Sequence, residues 1–172
     1  FTVQSETAYK VVRLVISNSW HGSDPTQGPK GSRVDLAGWN LQTTTGGVLP
    51  SAPTEWDDVT LQDDTSAEMV ASSSDPNFSP SNLFDTDYPT AAKDWVTNAA
   101  RLPNGQTEWV ALKFTEARRV TQYTLVSSDF PSSLNPAAWV LQGSSDGQSW
   151  TTIHSQTTTH TEYFKTQSQV TQ

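Results

Sequence analysis

Residues 136–150, PAAWVLQGSSDGQSW, decide the fold of this protein. The segment Trp139–Gln142 is rich in residues that favour β-strands, and Asp146-Gly147 favours the positive-φ positions of a tight hairpin turn. Trp150 then begins a second strand that continues through Ile153, and its large apolar ring predicts a core anchor. The stretch therefore predicts a β-hairpin.

Further strand patterns lie outward from this hairpin in both directions. Val11–Ile16 is β-branched and apolar, Trp109–Phe114 alternates with a period of two, and Val120–Val126 continues the series. Turn-forming pairs such as Asn104-Gly105 separate these segments, and one short helical turn is expected at residues 82–85. The pattern predicts an all-β fold, an antiparallel β-sandwich or jelly roll.

Composition excludes several classes of function. The 172 residues carry a formal net charge of −8, which disfavours nucleic acid as a partner. No apolar run approaches the roughly 18 residues needed to span a membrane. The absence of Cys excludes disulfides, cysteine-ligated metals and thiol catalysis. Because most polar residues are uncharged, we expect an extracellular protein, either secreted or held at the cell surface.

The chain divides into three parts on its sequence. Residues 1–42 contain a pair of predicted strands, and residues 43–64 form a connector with clustered acids. The main body is residues 65–172. The loop between the first two strands, residues 18–33, is the longest insertion in the regular part.

Five blocks of the body occur in the order and at the spacing of a known family. They are residues 71–73, 82–85, 95, 108–112 and 127–150. This succession resembles the discoidin domain, also called the coagulation factor type C domain. The resemblance implies a galactose-binding-like fold and a non-catalytic binding or adhesion module, with a glycan or another cell-surface or matrix molecule as its ligand.

The first two strands depart from the family's order. The segments 8–16 and 34–41 resemble strands that come last in the family, and joining Gln172 to Phe1 would restore that order. A circular permutant, one unit of a tandem array, and strand donation to a neighbouring subunit all fit the sequence. In the last case, copies would assemble head to tail into an extracellular filament. The residues that would fill the sheet in cis or in trans are Val11, Val12, Leu14, Ile16, Leu36, Trp39 and Leu41.

No constellation of residues predicts an enzyme. The histidines at positions 21, 154 and 160 have no serine and acid at a spacing that suggests a triad. The paired acids of the connector, such as Asp57-Asp58, indicate surface charge rather than a glycosidase acid and base.

Two loop tryptophans, Trp20 and Trp56, are the candidates for ligand or subunit contact, and Trp20 could also pack on its own loop. His21, Asp24 and Arg33 could donate or accept hydrogen bonds beside Trp20. In the resembling family a basic and acidic pair precedes a Pro-x-x-Trp motif; here that position holds Leu134-Asn135, which disfavours any sugar site that uses those charges. The remaining tryptophans are predicted to pack in the core: Trp39, Trp95, Trp109, Trp139 and Trp150.

Two more sites follow from loop residues. The resemblance implies a structural Ca²⁺ in the loop that holds Asp85 and Thr90, with Asp87 as a further oxygen donor. Gly38 stands where the family pattern has an acidic ligand, and an Asx-type turn at Asp85 is the alternative. No other cofactor is expected. Asn77-Phe78-Ser79 is a sequon, so Asn77 is a candidate for glycosylation in a secreted eukaryotic protein.

Overall fold

A computed structural model describes residues 1–3, 5–19, 34–45, 68–84, 94–98, 107–128, 135–156 and 169–170. All strand pairs in these residues are antiparallel, which confirms the all-β prediction. None of the helices within them is long and apolar enough to cross a membrane. In chain order, the elements are β1 (Tyr9–Ser19), β2 (Asp35–Thr45), β3 (Glu68–Ala71), a 3₁₀-helix (Pro80–Phe84), β4 (Trp95–Val96), β5 (Glu108–Ser127), β6 (Pro136–Ser144), β7 (Thr151–Gln156) and β8 (Gln169–Val170).

The longest strand, β5, belongs to two layers. Its first part, residues 108–113, pairs with β1 on one edge and β3 on the other. Its second part, residues 118–127, pairs with β2 and β8. A sandwich follows, with β3–β5–β1–β6–β7 in one layer and β4–β2–β5–β8 in the other. The sequence patterns at 109–114 and 120–126, which predict two strands, are parts of this single strand.

Contacts at the two ends of β5 show that the strand folds back. Straight, its 20 residues would reach about 66 Å. However, Ser128, just after β5, donates its hydroxyl to Asp94, and Glu108 at its start is joined through Ser73 to the Asn98 N–H. The residues from Asp94 to Asn98 reach at most about 14 Å. Both ends of β5 therefore lie at the same end of the sandwich.

The two N-terminal strands lie inside the sheet of their own chain. β1 is an inner strand, with Leu14 opposite Val110 of β5 on one side and Leu141 of β6 on the other. β2 pairs with β5 along most of its length and continues through Thr45, three residues into the segment assigned to the connector. Of the residues expected to fill the sheet, Val11 is partly exposed, and the others are almost wholly buried: Val12, Leu14, Ile16, Leu36, Trp39 and Leu41.

The core contains three of the five tryptophans assigned to it. Trp39, Trp95 and Trp139 are fully buried. The prediction is wrong for Trp109 and Trp150, which are only partly buried. Trp109 alternates with the inward-facing residues of β5 and therefore faces outward. Trp150 precedes β7, and its ring lies under a guanidinium group instead of in the core.

The predicted hairpin and helical turn are both present. β6 and β7 pair antiparallel around Asp146-Gly147, and Gly147 has a φ of 74°, as a tight turn requires. Gly143 is needed for a different reason, because a Cβ there would overlap the ring of Tyr9. The 3₁₀-helix at Pro80–Phe84 covers most of the predicted helical turn.

Candidate functional site

One end of the sandwich gathers strand ends that are far apart in sequence. Ser19 at the end of β1 pairs with Pro136, Asp35 at the start of β2 pairs with Val96, and Leu36 pairs with Ser127. We call this the loop end and define it by Ser19, Asp35, Asp94–Asn98, Glu108, Ser128 and Asn135.

Most of the predicted site residues themselves lie outside the described residues, namely Trp20, His21, Asp24, Arg33, Trp56, Asp85, Asp87 and Thr90. The described residues that flank them are informative. Ser19 and Val34 flank the segment with Trp20 and Arg33, and Asp94 follows the segment with Asp85. Both segments are therefore anchored at the loop end.

The opposite end, which we call the turn end, is defined by Thr45, Glu68, Lys113–Arg118 and Ser144–Gly147. Thr45 pairs with Arg118, and Glu68 pairs with Lys113. Thr45 and Glu68 flank the segment that contains Trp56. The described residues that flank the segments of Trp20 and Trp56 therefore lie at opposite ends of the sandwich.

Buried polar side chains concentrate at the loop end. Of the nine buried polar or charged residues in the described part of the chain, seven lie there. Three are carboxylates with exposures of 1–2%. Buried charged groups are rare unless they are hydrogen-bonded, so this polar floor must be held by specific partners. Its residues are Ser19, Asp35, Asp94, Thr97, Glu108, Ser128 and Asn135.

Asp94 and Ser128 join β4 to the end of β5. The Ser128 hydroxyl donates to the Asp94 carboxylate, and the Ser128 N–H donates to Asn135 Oδ1 at 3.2 Å. The Asp94 carbonyl accepts from Asn82 Nδ2 at 3.1 Å. This chain of bonds fixes the positions at which two of the loops leave the sandwich.

Glu108 forms the second part of the floor. Its carboxylate accepts hydrogen bonds from the hydroxyls of Ser72 and Ser73. Ser73 Oγ lies 3.0 Å from each of the two carboxylate oxygens. Ser73 Oγ also accepts from the Asn98 N–H at 3.2 Å, and its carbonyl accepts from Trp95 Nε1 at 3.1 Å. The serine and tryptophan blocks that carry the family resemblance therefore have a structural role here.

Asp35 is a buried acid that the sequence analysis did not single out. It lies at the start of β2, three residues before Gly38, which stands opposite Val126. The strand therefore contributes an acid to the loop end even though Gly38 cannot. The sequence signal for a buried acid was the position of Asp35 between the apolar residues Val34 and Leu36. Within the described residues, no group of three or more His, Asp or Glu side chains is placed to hold a metal ion.

His154 is bonded to a core tyrosine. Its Nδ1 lies 2.6 Å from the Tyr123 hydroxyl, which also accepts from Trp139 Nε1 at 2.9 Å. Burial raises the pKa of Tyr123, and burial followed by the Phe1 amino group lowers the pKa of His154. Tyr123 therefore stays protonated, and its O–H can donate a hydrogen bond to Nδ1 of a neutral His154. His21 and His160 lie outside the described residues.

Asn77 is exposed in the turn before the 3₁₀-helix. Its backbone N–H donates to Asp75 Oδ1 at 3.0 Å. Glycosylation of Asn77 stays a prediction.

Comparison with known proteins agrees with this architecture. The sequence profile of the F5/8 type C domain matches residues 68–172. Searches of curated proteins and of solved structures return no match. Domains of this family are non-catalytic modules that generally bind carbohydrates or other ligands, and they typically occur in extracellular or cell-surface proteins. Strands β1 and β2 precede the matched residues and yet complete both layers of the sheet. The chain therefore belongs to the F5/8 type C, or discoidin, domain family.

Proposed function

We propose that this protein is a non-catalytic, extracellular binding or adhesion module whose loop end binds a glycan. The observation that supports this most is the polar floor. Seven buried polar residues gather at the end from which the segment with Trp20, His21, Asp24 and Arg33 leaves.

A rigid polar base suits glycan recognition. Sugar sites combine an aromatic surface with a few polar groups that must be held in fixed positions. The bonds of Asp94 and Glu108 fix strand ends that would otherwise move independently, so the loops above them start from defined positions. Trp20 then supplies the aromatic surface. Trp56 belongs to the segment flanked by Thr45 and Glu68 at the turn end, and we assign it to a separate contact.

Calcium fits the same end as a structural ion. Asp85, Asp87 and Thr90 offer the hard oxygen ligands that Ca²⁺ prefers, and Asp35 adds a buried carboxylate beside β4. Bound there, the ion would neutralise these acids and hold the loop. We expect millimolar Ca²⁺ to raise the melting temperature, and Asp35→Asn to reduce that increase. No shift between Ca²⁺ and chelator would contradict the site.

Calorimetry against simple sugars and polysaccharides tests the proposed function. We expect millimolar or tighter binding by the wild type, and at least a tenfold loss in Trp20→Ala, since aromatic contacts dominate such sites. Trp56→Ala is the matched control and should bind as the wild type does. If no glycan binds at millimolar concentration, the proposal fails.

Self-assembly is the second candidate function. β1 fills a slot between β5 and β6 and pairs with both, although it precedes the matched domain residues. Such a strand could be exchanged between copies, because the vacated slot would expose two strand edges. Light scattering after a sizing column, with negative-stain microscopy of the same sample, tests this. Regular polymers would support head-to-tail exchange, and a monomer near 18.8 kDa would overturn it.

A further inference from the structure

The outer face of the layer β3–β5–β1–β6–β7 carries several apolar side chains around one arginine. Alternation with the core residues places Val11, Arg13 and Val15 of β1 on this face. Trp109 of β5 lies on it as well, and Val70 of β3 is 41% exposed there. Outer faces of antiparallel sheets are normally polar. The partly exposed Trp109 and the valines give this face aromatic and aliphatic surface beside Arg13.

Arg13 lies in the middle of this face and is held in one orientation. Its guanidinium carbon is 3.7 Å from the centre of the Trp150 ring, and its Nε donates to Gln142 Oε1 at 2.8 Å. Stacking fixes the plane of the group, and the bond at Nε fixes its rotation. The orientation of the guanidinium is therefore set by contacts within the protein.

No acid in the described part of the chain forms an ion pair with Arg13. Lys113 on the same face is different, because it lies 3.2 Å from Glu68. Partial burial also lowers the pKa of Arg13, so an anion beside it would relieve an unfavourable environment.

Polar and aromatic groups surround the guanidinium. Thr152 of β7 stands opposite Gln142, and Trp109 is a diagonal neighbour of Arg13 because it pairs with Val15. Diagonal neighbours are about 7–8 Å apart, within reach of an aromatic side chain. A sugar ring over Arg13 would thus meet Trp109 at one side and the Gln142 amide and Thr152 hydroxyl at the other.

We propose that this face binds an acidic saccharide, with the carboxylate of a uronic acid residue on Arg13. Two parallel N–H···O bonds from a guanidinium match a carboxylate, and the amide and hydroxyl match sugar hydroxyls. We favour a polysaccharide over an acidic peptide because Trp109 offers aromatic surface to the apolar face of a sugar ring, beside the polar groups of Gln142 and Thr152. The inference takes its ligand class from the proposed function but uses a different surface.

Calorimetry with oligogalacturonate at low salt tests the proposal. Hydrogen bonds to a charged group predict that Arg13→Gln weakens binding by about tenfold or more. Lys113→Gln is the matched control, since it removes the same charge from the same face but from an ion-paired residue, and it should change binding less than about threefold. Equal effects of the two variants would overturn the proposal. Arg13→Lys keeps the charge but removes the paired N–H groups of the guanidinium, so it should also weaken binding of oligogalacturonate.

The Trp20→Ala variant, a neutral glycan and oligoglutamate separate this inference from the proposed function. Trp20→Ala should keep its affinity for oligogalacturonate while it loses neutral glycans. If Trp20→Ala loses both and Arg13→Gln loses neither, the loop end is the glycan site and the inference fails. If no neutral glycan binds but Arg13→Gln still loses oligogalacturonate, the loop-end proposal fails alone. Tighter binding of oligoglutamate than of oligogalacturonate would assign the face to an acidic peptide and overturn the saccharide.

Discussion

The two ends of the sandwich are held together in opposite ways. At the turn end, Ser144 Oγ accepts from the Gly147 N–H at 2.8 Å, and Asp146 accepts from the N–H groups of Gln148 and Ser149 at 2.8 Å. The partners in this hairpin turn lie two or three residues apart, and the Glu68–Lys113 pair at the same end is exposed to water. At the loop end, the Val34 N–H donates to a threonine 63 residues away, and Asp94 accepts from a serine 34 residues away.

This difference has a consequence for stability and function. A local turn forms from its own sequence, whereas the loop end exists only when every strand has taken its place. Loops above a floor of this kind can change in sequence without loss of their anchor points. The loop end should therefore be sensitive to single changes in the floor, and the turn end should be tolerant.

The largest expected effect comes from Glu108→Ala. This substitution removes a buried carboxylate that accepts from two serine hydroxyls and should cost about 3 kcal/mol in the free energy of unfolding. Glu116→Ala is the matched control, since Glu116 is exposed at the turn end of the same strand. It should change stability by less than about 0.5 kcal/mol. Urea unfolding measures both, and equal losses would contradict the proposed difference between the ends.

Substitution of two glycines in one hairpin should lower the free energy of unfolding by an intermediate amount. Gly143→Ala would force the ring of buried Tyr9 to move and should cost about 2 kcal/mol. Gly147→Ala has open space around the new methyl group but a φ of 74°, so it should cost about 1 kcal/mol.

A double-variant cycle separates the two causes. Tyr9→Leu should relieve much of the loss at Gly143, because the clash is with the ring, and should leave the loss at Gly147 unchanged. If Tyr9→Leu relieves neither, the hairpin is limited by its backbone alone, and the turn end is even more local than the structure indicates.

The same difference explains what could be predicted from the sequence. The hairpin, its positive-φ glycine and the short helical turn follow from local signals, and the structure has all three. The family blocks likewise predicted the sandwich. The role of Asp35, by contrast, depends on the strand that lies beside it, β4, which is remote in sequence.

The tryptophans show where such reasoning stops. Trp109 and Trp139 both lie in apolar strands, and their neighbours in sequence do not distinguish them. Which one is buried depends on which face of each strand meets the second layer, and this register is set by pairing with β1. The outer face around Arg13 is a result of the same register and could not be predicted from any single segment.

The smallest expected effect concerns Asp146 and pH. Backbone hydrogen bonds from Ser149 and Gln148, and one from the Ser144 side chain, lower its pKa to about 2. An unfolded chain has an Asp pKa of about 3.9, so the folded state binds the proton less tightly. The contribution of Asp146 to stability is then fully present above about pH 4 and is lost as the pH falls toward 2.

Comparison of the wild type with Asp146→Asn isolates this contribution, because every other carboxylate titrates in both proteins. The wild type should be the more stable of the two at pH 6, and the difference should shrink as the pH falls from 4 to 2. Glu116→Gln removes a charge from an exposed side chain at the same end and corrects for the change in net charge. A difference that is constant with pH would show that the Asp146 carboxylate gains nothing from the turn, and the turn end would then depend on Ser144 and Gly147 alone.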